Sequence, residues 1–446
     1  MVFSSLEFIF IFLPIFIIIY YIFPNRFKNH WLLIASLGFY LYGTRNEPLN
    51  ILLLISSIII NYLFGLAIDK LLKGKKLLLI LGLSYNLAIL SIFKYTNLLL
   101  PIGISFFTFQ IISYLVDVYK KRIKPESSFA NLATYVSMFP KLTSGPLVSY
   151  GKINKQLKER KHSLKLFDNG LKTFTLGLGL KVLLANQIGN LWTDISAIGY
   201  ESISTPLAWM GIIAFSLQIY FDFYGYSLMA IGLGKMIGFH LPDNFNYPYL
   251  SLTITDFWRR WHITLGAWFR DYVYIPLGGN RKGSFKTIRN LLVVWLLTGM
   301  WHGSSLNFII WGFSLFVLIT IEKLGLGKIL EKHKLLGRLY MMLSIPLTWL
   351  IFAITDFSQL NIYFNRLFPF LKDTAINVFE HDYIKYGKMY GVLIIIGILF
   401  TTKIPRKIYD KIKDSIFATA LLLIIFWLSI YFLYMGLNDP FLYFRF

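Results

Sequence analysis

Residues 291–321 read LLVVWLLTGMWHGSSLNFIIWGFSLFVLITI, an apolar run broken near its centre by Gly299, His302, Gly303, Ser304, Ser305 and Asn307. Arg289 precedes the run, and Glu322 and Lys323 follow it. The run has 31 residues, whereas one helical crossing of a bilayer needs about 20. Basic flanks at both ends place both on the cytoplasmic side, so the chain is expected to enter and return. Each arm then has about 15 residues, or about 22 Å of helix, which is less than the roughly 30 Å hydrocarbon core. The expected turn, 299–307, falls inside the membrane and puts His302 at the tip of a helical hairpin. Broken backbone at that depth is tolerated only where it faces protein or a water-filled cavity. An ionisable side chain there is a functional hypothesis by default, and its alternative is a structural histidine bonded to a neighbouring helix.

Composition extends this reading to the whole chain. Of 446 residues, 56% are hydrophobic, 18% aromatic and only 15% charged, which excludes an ordinary soluble domain. Apolar runs recur at 6–23, 31–42, 48–68, 77–93, 98–118, 168–190, 206–235, 291–321, 338–355, 389–402 and 415–435. The expected fold is all-α and integral to the membrane, with about ten transmembrane helices plus re-entrant hairpins and an interfacial amphipathic helix. A single domain is expected over 1–446, with no internal repeat of the kind inverted-repeat transporters carry. The formal charge of +22 does not imply nucleic acid, because the Lys and Arg residues cluster between apolar runs, as in cytoplasmic loops. Cysteine is absent, excluding disulfides, thiolate metal sites and a cysteine nucleophile. Residues 1–23 lack a positive n-region and a small-residue cleavage site, and read as a retained first helix.

The loops at 26–28, 70–76, 120–124, 152–165, 281–289, 323–338 and 403–413 are basic, while those around Asp194 and Glu201 and from Asp356 to Asp382 are acidic or neutral. The alternation predicts a multi-pass protein of the cytoplasmic membrane with both termini extracytoplasmic.

Two further segments are not plain spans. Residues 129–150 begin apolar and are then broken by Pro140, Gly145 and Pro146 between basic flanks. They are expected to be re-entrant or buried within protein, the alternative being a loose cytoplasmic loop. Residues 256–274 read DFWRRWHITLGAWFRDYVY. As one helix they would place Trp258, Trp261, His262, Leu265 and Phe269 on one face and Arg259, Arg260, Arg270 and Asp271 toward the other. That is the pattern of a helix lying at the membrane surface. His262 falls among the tryptophans, where a satisfied core histidine is the ordinary reading.

The string from Asp256-Phe257-Trp258-Arg259-Arg260-Trp261-His262 through Trp268-Phe269-Arg270-Asp271-Tyr272 to Leu277-Gly278-Gly279-Asn280-Arg281, followed by Trp301-His302-Gly303, resembles the membrane-bound O-acyltransferases (MBOAT), specifically their alginate O-acetylation branch. Tyr114-Leu115-Val116-Asp117, Phe139-Pro140 with Gly145-Pro146, Gln218-Ile219-Tyr220-Phe221-Asp222, Leu241-Pro242-Asp243-Asn244-Phe245 and Asp439-Pro440-Phe441-Leu442-Tyr443 fit the same pattern, so the likeness covers nearly the whole chain. It departs at Leu228, where the family usually carries a carboxylate, and at Gly266, where a small hydroxyl is frequent.

The resemblance implies an MBOAT-type fold, His302 as the active-site histidine and His262 as its second histidine. It implies transfer of acetyl from a cytoplasmic thioester, acetyl-coenzyme A, toward hydroxyls of an extracytoplasmic polysaccharide, with no bound cofactor and no metal. A neutral imidazole at His302 is suited to take the hydroxyl's proton as general base. Arg259, Arg260, Trp301, Asp271 and Asn280 are candidate donor-binding or orienting residues. Arg281 and Lys282 could attract the donor's phosphates, or simply mark the cytoplasmic side. By the same resemblance Tyr443 is a candidate acyl relay toward an extracytoplasmic esterase-like, SGNH-type acetyltransferase partner. Its alternative is an aromatic anchor at the outer interface of the bilayer. Two rival activities are D-alanyl transfer to teichoic acid and transport of a polysaccharide or lipid-linked sugar.

Overall fold

A computed structural model describes residues 2–96, 98–281, 283–371 and 379–436. Every regular element among them is helical. Seven helices are long and apolar enough to cross a membrane: Asn50–Lys70, Lys75–Tyr95, Thr205–Met236, Leu306–Lys332, Lys334–Ala353, Asp382–Phe400 and Ile416–Tyr434. Phe8–Ile22 and Ile104–Tyr119 are shorter apolar helices. The chain is an all-α, multi-pass membrane protein, and its described residues fall into two compact units.

The first unit comprises Met1–Gly177, Tyr226–Asp243 and Arg270–Tyr272. Its helices Asn50–Lys70 and Lys75–Tyr95 expose Leu52, Leu63, Leu77 and Ile80, as a lipid-facing surface requires. Asn61 and Asn86 bridge the two helices through a reciprocal amide pair, with N···O distances of 3.1 and 2.7 Å. Such pairing satisfies polar groups that lipid cannot.

The segment 129–150 is buried within protein. Ser128 caps helix Phe129–Ser137 by accepting from the Asn131 N–H, and the helix stops before Pro140, which lacks the N–H needed to continue it. A single turn, Phe139–Leu142, follows, and residues 132–148 are buried throughout. Their polar groups are met locally. The Phe139 N–H donates to Ser36 Oγ at 3.1 Å, and the Tyr135 hydroxyl donates to the Val148 carbonyl at 2.8 Å. Lys141 donates to the Gln110 side-chain carbonyl and lies 3.9 Å from the Tyr135 ring centroid.

The second unit comprises Leu178–Gly225, Asn244–Phe269 and Val273–Phe446. Here the run at 291–321 forms the expected hairpin, with arms Ser284–His302 and Leu306–Ile321 joined through Gly303-Ser304-Ser305. Glycines allow the arms to touch backbone to backbone. A Cβ on Gly312 would lie 2.4 Å from the Trp295 carbonyl oxygen, and one on Gly299 would lie 2.4 Å from that of Phe308. Asn307 ties the turn to helix Lys334–Ala353 by donating to the Ile351 and Phe352 carbonyls at 3.1 and 3.2 Å.

One arm differs from expectation in length. The first has 19 residues, or about 28 Å, because Ser284–Asn290 is helical despite its charges. The second, Leu306–Ile321, has 16 residues, close to the roughly 15 expected, and beyond it the chain kinks at Gly325 before the short helix Gly327–Lys332. The first arm alone is longer than the half-length expected.

Candidate active site

The site is built on a bend. The segment 256–274 is not the one continuous helix its periodicity predicts. Helix Ile254–Arg260 ends, His262 adopts φ +42°, and helix Ile263–Phe269 begins beyond it. A histidine in the left-handed region is uncommon and carries strain that surrounding structure must hold.

Two holds are visible. Residues 244–246 form a strap across the bend: the Asn246 N–H donates to the Arg260 carbonyl, and the Ile263 N–H donates to the Asn244 carbonyl, both at 2.9 Å. The Asn244 side-chain oxygen also accepts from the Thr264 hydroxyl at 2.6 Å. Upstream, the buried Glu322 carboxylate accepts the Ile254 and Thr255 N–H groups at 2.6 and 2.9 Å, and the Thr255 hydroxyl at 2.6 Å. Four backbone N–H groups at a helix start have no intrahelical partner, and an anion there also meets the favourable end of the helix dipole. Glu322 follows the second hairpin arm, so it binds the hairpin to the helix that leads into His262.

Tryptophans complete the packing. Trp258 lies 5.1 Å from Trp295, 5.5 Å from Trp311 and 5.9 Å from Trp349, centroid to centroid. Trp261 lies 5.0 Å from Trp349. Within this wall both histidines are buried, His262 to 2% exposure and His302 to 5%. Trp301 contacts each of them, at 4.6 Å from His302 and 6.5 Å from His262. Trp311 and Phe352 meet the His302 ring edge-on at 4.9 and 5.1 Å, and Phe223 meets His262 in the same way at 4.6 Å. Burial pushes the His262 imidazole down to about 3, so this ring is neutral near pH 7. A neutral imidazole presents one acceptor and one donor nitrogen, and a ring this hard to protonate serves as a hydrogen-bonding partner rather than as a proton acceptor.

The remaining sequence candidates lie elsewhere. Arg259 is exposed, and Arg260 pairs with Asp256 one turn back at 2.8 Å. Asp271 pairs with its neighbour Arg270 at 2.8 Å. Asn280 and Arg281 are exposed in a turn where Gly278 and Gly279 have positive φ. That turn is held by Asn290, which donates to the Gly279 carbonyl at 3.0 Å, and by Arg289, which donates to that of Leu277 at 3.0 Å. Lys282 and Tyr443 lie outside the described residues. Among the described residues no group of three His, Cys, Asp or Glu side chains is placed to hold a metal ion.

Sequence reasoning gave no role to Asn244, Phe223 or Glu322. Glu322 was visible as a carboxylate at the edge of an apolar run. Asn244 and Phe223 stand in or beside strings that carry the family resemblance, but nothing local pointed to the contacts they make here.

Comparison with known proteins shows the family. A sequence profile of the MBOAT, membrane-bound O-acyltransferase family, matches residues 119–363. The chain is 38% identical over 382 residues to the probable alginate O-acetylase AlgI of Pseudomonas fluorescens, covering 83% of this chain and 76% of that one. It is 34% identical over 409 residues to the peptidoglycan O-acetyltransferase of Helicobacter pylori, covering 79% and 77%. It is 30% identical over 230 residues to the teichoic acid D-alanyltransferase of Bacillus subtilis, covering 48% and 57%. The chain belongs to the membrane-bound O-acyltransferase family and is an O-acyltransferase.

Proposed function

We propose that this enzyme moves acetyl groups from cytoplasmic acetyl-coenzyme A toward hydroxyls of an extracytoplasmic polysaccharide, with His302 as general base. The observation that carries the reading is the seating of His302 and His262 around Trp301, buried in one tryptophan-rich wall. In the step proposed, the His302 imidazole takes the proton of the acceptor hydroxyl as its oxygen attacks the thioester carbonyl. The new C–O bond forms, the C–S bond breaks, and the imidazolium returns its proton to the departing thiolate. His262 is buried and neutral, and orients the acyl carbonyl or polarises it. Water exclusion by the aromatic wall strengthens these polar interactions and suppresses hydrolysis of the thioester.

The breadth of the matches favours acetyl over D-alanyl. The alginate and peptidoglycan O-acetylating relatives align over about four-fifths of this chain, and the teichoic acid D-alanyltransferase over 48%. The reading places the chain in the cytoplasmic membrane with both termini extracytoplasmic. Tyr443 relays the acetyl group outward, to an SGNH-type partner that loads the polymer. The experiment is transfer of radiolabelled acetyl from acetyl-coenzyme A by purified protein, with D-alanyl thioester as the competing donor. Transfer of D-alanine and not acetyl overturns the donor assignment.

A further inference from the structure

In the first unit, three basic side chains converge on one tyrosine. Lys28 Nζ lies 5.3 Å from the Tyr20 ring centroid, Arg160 Cζ lies 5.7 Å from it, and the His162 ring lies 5.6 Å from it. Lys28 and His162 also lie 5.3 and 5.8 Å from the Tyr21 ring. The tyrosines are fixed from behind, since their hydroxyls donate to the Ile237 and Met236 carbonyls at 2.8 and 2.6 Å. Arg160 is oriented by its Nε donating to the Tyr20 hydroxyl at 2.8 Å and its Nη1 to the Asn29 side-chain oxygen at 2.6 Å.

This cluster has charge and donors left over. Among the described residues no carboxylate pairs with Lys28, Arg160 or His162. Most of the Lys28 side chain is buried, but its ammonium makes no hydrogen bond and stays open to solvent. Arg160 Nη2 and His162 Nδ1 are buried without a hydrogen-bond partner. Three basic groups packed together with no carboxylate among them repel one another, and an anion would relieve that repulsion. Burial, followed by the neighbouring cations, holds both Lys28 and His162 below their ordinary pKa values. The cluster also sits at the first turn of the 16-residue helix Lys28–Gly43, the end that favours an anion. Tyr21, Arg26 and Lys161 are exposed around it, so it opens to the surface.

We infer that Lys28, Arg160 and His162 form a binding site for a phosphate group. An ammonium open to solvent and backed by a guanidinium and an imidazole matches a group with several terminal oxygens, and charge-assisted bonds of this type are the strong ones. The phosphate can come from the headgroup of an anionic membrane lipid or from a nucleotide of the coenzyme A type. The inference does not depend on the acetyl-transfer reading, and a His302→Ala chain should bind the phosphate unchanged.

The test uses the full chain in phosphatidylcholine nanodiscs, with phosphatidylglycerol and adenosine 3′,5′-bisphosphate as separate probes. One of them should bind wild type, weaken at least about tenfold in Lys28→Gln and be largely retained in Lys28→Arg. Dependence of phosphatidylglycerol binding on Lys28 identifies a lipid source, and dependence of the bisphosphate a nucleotide. Because Lys28→Gln could misfold, acylation of Lys28 by an N-hydroxysuccinimide ester is also followed in wild type, where the bound probe should shield it. If neither probe shields Lys28 and neither binds in a Lys28-dependent manner, the site does not exist.

Discussion

The Asn244 side-chain oxygen accepts the Thr264 hydroxyl at 2.6 Å, across the bend that places His262 in a left-handed backbone conformation. With the Asn244 carbonyl accepting from Ile263, one residue secures the chain just past the histidine. Asn244→Ala should therefore relax the bend. The expected result is a fall in kcat of at least about tenfold with a loss of about 1–3 kcal/mol in stability, the cost of orphaning a buried hydrogen-bonding group. Steady-state acetyl transfer beside thermal melting in detergent checks both. Full activity in this variant means that the strap does not set the site.

Glu322 makes a second, independent prediction. Its carboxylate accepts the Ile254 and Thr255 N–H groups. Glu322→Ala leaves these donors and should lower stability by about 1–3 kcal/mol. Glu322→Gln, which keeps one acceptor oxygen, should recover part of that loss and part of the activity. Equal behaviour of the two variants argues against the capping role.

The hairpin contact can be probed by adding a single methyl group. A Cβ on Gly312 would meet the Trp295 carbonyl at 2.4 Å, and a backbone atom cannot swing aside as a side chain can. Gly312→Ala should force the arms apart and cost about 1–3 kcal/mol, read as a lower melting temperature. Gly387→Ala is the control, since nothing lies within 4 Å of its Cβ position and alanine is the better helix former. A melting temperature for Gly312→Ala equal to wild type contradicts the close packing described.

The fold was legible to the extent that length and charge dictate it. The 31-residue run between basic flanks required a hairpin, and Pro140 with Gly145 and Pro146 required a broken segment that burial then explains. Arm length was misread because Lys286 and Arg289 mark a membrane boundary without ending a helix. The break at His262 was not legible. A 3.6-residue pattern of Trp258, Trp261, His262, Leu265 and Phe269 survives in the sequence whether the helix is straight or bent, and the bend is held by Asn244 and Asn246, distant polar residues that read locally as loop. His302 was legible as a suspicious polar residue in an apolar run, whereas His262 read as an ordinary core histidine until the family resemblance singled it out, and their shared contact with Trp301 depends on packing between helices far apart in sequence.

Burial of His262 gives a pH dependence. Its folded value of about 3 lies below the ordinary 6.5 of an unfolded histidine, so below 6.5 the unfolded chain binds the extra proton. The contribution is fully present above about pH 6.5 and is lost as pH falls, by about 1.4 kcal/mol per unit down to the folded value. Between pH 7 and 5 the protein should lose about 2 kcal/mol from this group. His262→Gln should flatten that part of the stability profile, and an unchanged profile would show that His262 does not titrate on unfolding.

The most direct measurement is acetyl transfer from labelled acetyl-coenzyme A by purified His302→Ala protein, beside wild type and with folding verified by melting. The account predicts a fall of at least about a hundredfold, the usual size of a general-base contribution, with the melting temperature little changed. Transfer at the wild-type rate would contradict it.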